Sequence, residues 1–207
     1  MYISYRVSER DNGQGDALNK GFKRASGELV GWLNSDDCFL PGAFEFLLET
    51  HNKKANADIY YGDYYFIDEA DNIIKKRKET WYTPGLLLYI GCYIPSSGTF
   101  FNRSVFLEGY FVSHDLNVAM DYEFFMRLSK ANKRFIHLKK YLSCFRRHDN
   151  NKSLNLISAI KEEESVKLLY GPRIFRDDNM NLRFYRLMRY PYLAKRGMIK
   201  LVRGGYF

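Results

Sequence analysis

The segment VGWLNSDDCFLPG, residues 30–42, sets two adjacent carboxylates, Asp36 and Asp37, directly behind a short apolar run. Ligands of open α/β sheets bind outside the carboxyl ends of the strands, which is where this pair would lie. Neighbouring carboxylates repel each other, and a cation relieves that repulsion most readily. Hard ions such as Mg²⁺ and Mn²⁺ take oxygen ligands and bridge to phosphates. The pair therefore indicates a metal–diphosphate site, with one alternative, that residues 35–37 cap the next helix.

The sequence on both sides of this segment alternates between strand and helix patterns. In chain order we predict a strand at residues 2–7, a helix at 14–26 ended by Gly27, a strand at 28–33 and a helix from Pro41 to about His51. The first helix has an apolar face made of Ala17, Leu18, Phe22 and Ala25. The second should turn inward the side chains of Phe44, Leu47 and Leu48.

A β-hairpin is predicted next, in the stretch ADIYYGDYYFIDEADNIIKKRK, residues 57–78, with its turn at 69–72. Strands and helices that alternate in this way, followed by an antiparallel addition, predict an α/β fold. Because short strands joined through helices usually run parallel, we expect the early connections of the sheet to be parallel.

The composition of the 207-residue chain limits its partners and its location. No apolar run approaches the roughly 18 residues that a membrane span requires, and the N-terminus lacks the order of a signal peptide, so a cytoplasmic chain is expected. The net charge of +8 indicates an anionic partner, and the excess gathers between residues 173 and 203. Nucleic acid is disfavoured, because no recognition helix, RNP-type aromatic pattern or zinc module is present. The three cysteines show no CxxC spacing, which argues against a disulfide framework or a zinc site.

A polar loop, SERDNGQGDALNKGF at residues 8–22, is similar at first sight to a phosphate-binding glycine loop. It fails both standard templates, because Leu18 stands where a dinucleotide fingerprint needs a third glycine and no Gly-Lys-Ser or Gly-Lys-Thr is present. What remains is a loop that enters a helix N-terminus, whose backbone N–H groups can bind an anion or a ribose.

Five ordered blocks carry a more specific resemblance. In chain order the blocks are residues 8–37, which end in NSDD, then YYGDYYFID at 60–68, IPSSGTFFNRSVF at 94–106, MDYEFFMRL at 120–128 and CFRRHDNNKS at 144–153. They resemble family 2 glycosyltransferases of the GT-A fold. The resemblance implies a mixed sheet flanked by helices in residues 1–153, with residues 154–207 as a helical, basic and aromatic extension. It also implies that the chain lacks the usual N-terminal βαβ segment that reads the nucleotide base.

The resemblance implies roles for the first set of polar residues. Asp37 would contact a divalent metal, Mg²⁺ or Mn²⁺, and Asp36 the donor ribose or the water shell of the metal. The polar positions of the donor-binding loop fall on Asp11, Gln14, Asp16 and Asn19. Asn19 has an alternative role as a structural residue of the helix turn.

The resemblance also assigns roles further along the chain. Asp121 matches the catalytic base, although the usual acidic neighbour before it is replaced by Met120; the alternative for Asp121 is an N-cap of the helix at 122–131. His148 would contact the metal or the diphosphate, and Arg146 or Arg147 would neutralise the leaving phosphates.

The implied activity is a metal-dependent, inverting transfer of a sugar from a nucleoside-diphosphate sugar to a hydroxyl group. The acceptor would be a glycan or a lipid-linked intermediate of surface polysaccharide assembly, handled at the inner face of the cell membrane. The basic tail from about residue 182 would bind anionic lipid in two pieces separated by Pro191, or would pack as a helix on the domain. An exposed first strand would favour self-association. Two alternatives stay open: a catalytically impaired fragment or non-catalytic partner, and a basic peripheral-membrane or nucleic-acid-binding protein.

Overall fold

The computed structural model describes residues 5–53, 57–149 and 151–202. Seven helices in the described part are α1 (Gln14–Arg24), α2 (Ala43–Lys53), α3 (Pro84–Ile90), α4 (Ser104–Leu107), α5 (Met120–Lys130), α6 (Leu156–Tyr170) and α7 (Asp178–Val202). Six strands are β1 (Leu29–Gly31), β2 (Cys38–Phe39), β3 (Ile59–Ile67), β4 (Ile73–Arg77), β5 (Thr99–Asn102) and β6 (Phe135–Arg146). Short 3-10 turns lie at Ser96–Gly98 and Lys152–Leu154.

A single mixed sheet organises these elements in the order β1-β5-β3-β6-β2, with β4 paired to β3. The predicted α/β class is correct, but the expected parallel early connections are wrong. β1 pairs antiparallel with β5, β2 pairs antiparallel with β6, and the parallel pair among the described strands is β3 with β6. β1 and β2, consecutive in sequence, are therefore at opposite ends of the strand order, and β6 lies between β3 and β2.

The local predictions hold for most elements and fail at identifiable places. The helix at 14–26 forms α1, which ends at Arg24 with Ala25 as its C-cap, so Gly27 is not the helix stop. The hairpin forms as β3 and β4, and Asp68 stabilises its turn by accepting the N–H groups of Ala70 and Asn72. The strand at 2–7 lies partly outside the described residues, and residues 5–7 are not in a strand.

α2 turns a different face inward from the one expected. Leu47 is buried as predicted, whereas Phe44 and Leu48 are half exposed, and Ala43 and His51 take the inner positions. The ring of His51 bonds Tyr60 and Glu28 with its two nitrogens, at 2.9 and 2.8 Å. A histidine with two polar partners can thus occupy a buried helix position, which the pattern of apolar residues did not predict.

The core lies on both faces of the sheet because the side chains of β3 alternate in direction. Ile59 and Tyr61 enter the larger cluster, which α1, α3 and α5 cover, while Tyr60 enters a smaller cluster with Leu47 beneath α2. The larger cluster is rich in rings, with Phe101 and Phe124 at 5.4 Å between centroids. The helices on this face hold one wall of the cleft described below.

Both helices after residue 155 pack on the same core. Val166 of α6 and Ile199 of α7 belong to the larger cluster. Arg196 of α7 forms an ion pair with the buried carboxylate of Glu79. α7 runs unbroken through Pro191, so the expected division into two pieces is wrong. Within the described ranges, no helix combines the length and apolarity that crossing a bilayer requires.

Candidate active site

An open cleft of about 820 Å³ lies between the β1–β2 loop, α1, the start of α5 and the segment that follows β6. Asp36 and His148 lie on one side, which we term the acidic wall and define as residues 34–37 with 148, 151 and 152. Asp121 lies on the other side, the helix wall, defined as residues 117–121. The cleft therefore brings together four of the site residues predicted from the sequence, Gln14, Asp36, Asp121 and His148, from positions far apart in the chain.

The two aspartates of the acidic wall point in different directions. Asp37 is 9% exposed and does not line the cleft. One of its oxygens accepts the backbone N–H of Arg146 at 3.0 Å, and the other accepts the side-chain amide of Asn34 at 3.1 Å. Burial raises the pKa of Asp37 to about 6, and the neighbouring charge of Asp36 adds to this effect. Asp36 is the member of the pair that faces the cleft.

The capping alternative for this loop is wrong. α2 begins at Ala43, several residues after the aspartates, and its first N–H groups bond backbone carbonyls of residues 40 and 42. The bonds of Asp37 run to β6 instead. The carboxylate pair thus joins β2 and β6 at one end of the sheet.

Arg146 holds the acidic wall from behind. Its guanidinium donates to the carbonyl oxygens of Asp36 at 2.8 Å and Asp68 at 2.7 Å, and to the carboxylate of Asp71 at 2.6 Å. Arg146 does not line the cleft, and Arg147 lies over the ring of Phe66 at 4.1 Å. These contacts tie the turn of the β-hairpin to the loop that carries Asp36.

His148 follows β6 and reaches the cleft. Its Nε2 lies 2.9 Å from an oxygen of Asp36 and 3.1 Å from the amide nitrogen of Asn151. The backbone N–H of His148 bonds the side chain of Asn151, which fixes the short turn after the strand. A histidine and an aspartate in contact can hold a cation, or share a proton when no cation is bound.

The four residues of the expected donor-binding loop separate into two groups. Gln14 lines the cleft, where its side chain donates to Asn34 and accepts from Lys152, both at 3.0 Å. Asp11 and Asp16 do not line it; their carboxylates accept the N–H groups of Gly13 and Asn12 and so shape the loop.

Asn19 takes the structural alternative. It is buried, its amide donates to the carbonyl of Val112 at 2.8 Å, and its carbonyl accepts the N–H of Val112 at 2.9 Å. The residue therefore joins α1 to the segment before α5.

Asp121 lies in the first turn of α5, which begins at Met120 with Ala119 at the N-cap position. The N-cap alternative is therefore wrong. One carboxylate oxygen accepts the N–H of Tyr122 at 2.7 Å. Burial raises the pKa of Asp121 to about 6, which gives the side chain the proton affinity of a general base near neutral pH.

Several cleft residues had no role in the sequence interpretation. Asn34 links Gln14 to Asp37, Lys152 adds a cation, and Asn117 lines the helix wall. Asn34 and Lys152 lie inside the quoted blocks, so their proximity to NSDD and CFRRHD was the available signal. Asn117 carried none.

A divalent cation fits this donor set only in part. Within residues 5–53, 57–149 and 151–202 there is no group of three or more His, Cys, Asp or Glu side chains arranged to hold a metal. Mg²⁺ and Mn²⁺, however, are often bound by one or two protein groups, with substrate phosphates and water as the other ligands. Asp36 and His148 on the cleft surface meet that lower requirement, whereas the carboxylate of Asp37 is already engaged.

Comparisons with known proteins bear on the family and the fold of the chain. The chain is 24% identical over 164 residues to an uncharacterized glycosyltransferase of Methanocaldococcus jannaschii, covering 78% of this chain and 56% of that protein. It is 25% identical to an uncharacterized glycosyltransferase of Nostoc sp., covering 97% of this chain and 71% of that one. The chain thus spans little more than half the length of the archaeal relative.

Solved structures show the same fold at low identity. The S. aureus TarS fragment 1–349 in complex with UDP matches with a TM-score of 0.57 at 14% identity, over 88% of this chain and 51% of that one. The complex of the same fragment with UDP-GlcNAc matches with a TM-score of 0.58 at 13% identity, over 90% and 54%. The mixed sheet and its flanking helices are those of a GT-A fold. The family model described as glycosyl transferase family 2 matches residues 2–129, more than half of the chain, and the chain belongs to that family.

Proposed function

We propose that this chain carries the catalytic site of a metal-dependent, inverting glycosyltransferase that takes a sugar from a nucleoside-diphosphate sugar. One observation supports the proposal above all: a single cleft has Asp36 and His148 on one wall and a carboxylate with a raised pKa, Asp121, on the other. Sugar transfer needs an anion-binding side for the diphosphate and a base for the acceptor. The cleft offers both.

The proposed base is Asp121. An acceptor hydroxyl is a poor nucleophile, so a carboxylate must take its proton while the new bond forms at the anomeric carbon. With a pKa of about 6, Asp121 is ionised above neutral pH and is a stronger base than an exposed aspartate. Attack from the side opposite the leaving group would invert the anomeric configuration.

The proposed diphosphate side is the acidic wall. When bound, Mg²⁺ or Mn²⁺ would supply charge neutralisation for the departing diphosphate, and Asp36 with His148 would hold it. Lys152 lies on the same wall and can pair with a phosphate oxygen. Asp37 and Arg146 would act from behind, by fixing the loop that carries Asp36.

The donor is proposed to be a nucleoside-diphosphate sugar, and the UDP and UDP-GlcNAc complexes of TarS make UDP-sugars the first donors to test. We place the reaction in surface polysaccharide assembly, with a glycan or lipid-linked acceptor, at the cytoplasmic face of the membrane.

We propose that the outer face of α7 contacts anionic lipid. Its outward side chains form an apolar stripe, with Leu187 66%, Tyr190 71%, Met198 67% and Leu201 64% exposed. No acidic residue occurs from 179 to 202. By helical spacing Arg183 lies within the stripe and Lys195 beside it, and neither forms an ion pair with any described residue. Apolar side chains bordered by cations suit a membrane interface that carries negative charge.

Flotation with liposomes tests this surface. Replacing Leu187 and Met198 by Gln should abolish flotation with vesicles that contain phosphatidylglycerol, while Leu107→Gln on α4, an equally exposed leucine, should not. Equal flotation of all three proteins would remove α7 from the membrane contact.

Self-association was expected through the predicted strand at residues 2–7; because residues 5–7 form no strand, we propose the open edge of β1 as the site instead. In the described sheet β1 has β5 as its neighbour on one side only, so backbone N–H and C=O groups of its other side are free to pair. Light scattering across a concentration series tests this, and a monomer at every concentration would contradict it.

Release of nucleoside diphosphate tests the main proposal. The chain is incubated with UDP-, GDP- and dTDP-sugars with Mn²⁺ or with EDTA. We expect Mn²⁺-dependent release from at least one donor, much reduced in Asp121→Asn and unchanged in Glu164→Gln, a substitution on α6 outside the cleft. Donor binding without release in any condition would favour the alternative of a catalytically impaired chain.

A further inference from the structure

The segment that leads into α5, the helix that carries Asp121, is bound by a carboxylate from a different helix. The backbone N–H groups of Asn117, Val118 and Ala119 donate to Glu162 of α6, at 3.2, 2.8 and 2.8 Å. The first N–H groups of a helix have no partner inside it and are usually satisfied by a polar N-cap side chain. In α5 the N–H of Tyr122 is accepted by Asp121 itself, whereas Glu162 binds the N–H of Ala119 at the N-cap and those of the two residues before it, and so fixes the segment that leads into the helix.

The three hydrogen bonds to Glu162 favour its charged form. Burial acts to raise the pKa of Glu162, but the three N–H donors outweigh burial and hold the pKa below its usual value. A carboxylate that accepts several backbone N–H groups is stabilised as the anion. Glu162 is therefore charged at neutral pH and brings a negative charge to the positive end of the α5 dipole.

α6 is itself fixed against α5, so the position of Glu162 is well defined. Val166 is buried in the larger core cluster between the two helices. At the far end of α6, the hydroxyl of Tyr170 donates to the buried carboxylate of Glu123 on α5 at 2.5 Å. The same carboxylate bonds Arg127 at 2.9 Å. The two helices thus meet at three points, one of which is the N-terminus of α5.

We propose that Glu162 is a positioning residue for Asp121: it fixes the helix wall of the cleft and sets the charge environment in which the base acts. The inference rests on the proposed function for the role of Asp121, but the contact itself does not depend on the reaction. It gives α6 a part in the site, although none of its residues lines the cleft.

The charge of Glu162 has a predictable effect on Asp121. Removing a negative charge from the start of α5, and leaving the dipole of the helix uncompensated, both favour the ionised form of Asp121. The pKa of Asp121 should therefore fall when Glu162 becomes neutral. Other titratable groups near Asp121 are the Cys92 thiol, whose pKa Asp121 helps to raise, and across the cleft Asp36, His148 and Lys152.

The titration of Asp121 can be followed without a substrate. NMR of protein labelled with ¹³C at the aspartate carboxyl carbon, with Asp121→Asn to assign the signal, reports the pKa in wild type, Glu162→Gln and Glu164→Gln. Glu164 is the matched control, since it lies on the same helix and pairs with Arg186 of α7. We expect the pKa of Asp121 to fall by about half a pH unit in Glu162→Gln. It should not change in Glu164→Gln.

Amide hydrogen exchange provides a second measurement on the same proteins. Residues 117–121 should exchange faster in Glu162→Gln, which keeps one acceptor oxygen, and faster still in Glu162→Ala. An unchanged Asp121 titration with unchanged exchange would overturn the inference. If Glu162→Gln shifts the titration but Asp121→Asn leaves sugar transfer intact, the positioning contact stands and the assignment of Asp121 as base fails.

Discussion

The two walls of the cleft each contain a carboxylate whose pKa burial raises to about 6, Asp37 and Asp121, yet their surroundings differ. Asp37 has both oxygens bonded to other parts of the chain and does not face the cleft. Asp121 faces the cleft and is bonded to the N–H of its neighbour, Tyr122. Two carboxylates with the same raised pKa thus differ in role: Asp37 holds a loop in place, and Asp121 is free to react. Geometry, not the pKa, distinguishes the two.

The largest expected effect comes from Asp121→Asn. The substitution keeps the size of the side chain but removes its ability to accept a proton, so sugar transfer should fall by about two orders of magnitude or more. Donor affinity should stay within about twofold, because the base contacts the acceptor. Transfer kinetics and calorimetric donor titration measure the two quantities. An equal loss in both would move Asp121 to the donor side and remove the contrast between the walls.

Asp36→Ala and Asp37→Ala should affect different properties, donor binding in the first case and stability in the second. Asp36→Ala should weaken Mn²⁺-dependent donor binding by about tenfold or more with little effect on folding, since its carboxylate faces the cleft. Asp37→Ala leaves the Arg146 N–H without its partner and should lower the free energy of unfolding by about 1–3 kcal/mol. Donor calorimetry and urea unfolding of both variants test the pair. A stable Asp37→Ala protein that has lost metal-dependent binding would instead support the direct metal role expected from the family.

Asp71→Ala tests the support behind the acidic wall. It removes one of three acceptors that hold the Arg146 guanidinium, so the hairpin turn should loosen while the bonds to two backbone carbonyls remain. We expect a small fall in melting temperature and a modest loss of donor affinity, with no change at the helix wall. Hydrogen exchange localised to residues 68–72 and 34–37 would follow the change. Faster exchange at residues 117–121 would show that the walls are coupled.

The last prediction concerns the pH dependence of stability, not the reaction. Because the pKa of Asp121 is higher in the folded chain than its ordinary value of 3.8, the folded state binds more protons between about pH 4 and pH 6. This group therefore lowers the free energy of unfolding as pH rises through that window, by on the order of 2 kcal/mol. Asp121→Asn should remove this contribution and be more stable than wild type at pH 8, with no advantage at pH 4. Urea unfolding at the two pH values measures it.

Much of the fold could be predicted from the sequence because local patterns decide local elements. The first helix and the turn of the hairpin have clear signatures, and both formed, although of the predicted apolar face of α1 only Phe22 is buried and Ala17 is exposed. The order of the strands could not be predicted in this way, since β6 pairs with β2 and β3 through contacts between distant residues. α2 shows the same limit: His51 is buried because Tyr60 and Glu28 happen to meet it.

The site was predictable to a similar depth. Motif positions identified Asp36, Asp121 and His148, which share the cleft. The sequence does not show which way a side chain points. We therefore expected Asp37, Asn19 and Arg146 to contact ligands, whereas the structure shows them bonded to other parts of the chain. Glu162 had no signature at all, because a carboxylate that closes another helix follows no fixed spacing in the sequence.

The place of β6 between β3 and β2 has a consequence for how the molecule folds. The central sheet cannot close until residues 135–146 have been synthesised and inserted between two strands made much earlier. Pairings between distant residues cost loop-closure entropy before they gain stability, so they slow folding. Asp37 and Arg146 meet only through this insertion. The acidic wall is therefore expected to be among the last features to form, and a nascent chain that ends before β6 would lack one wall of the cleft.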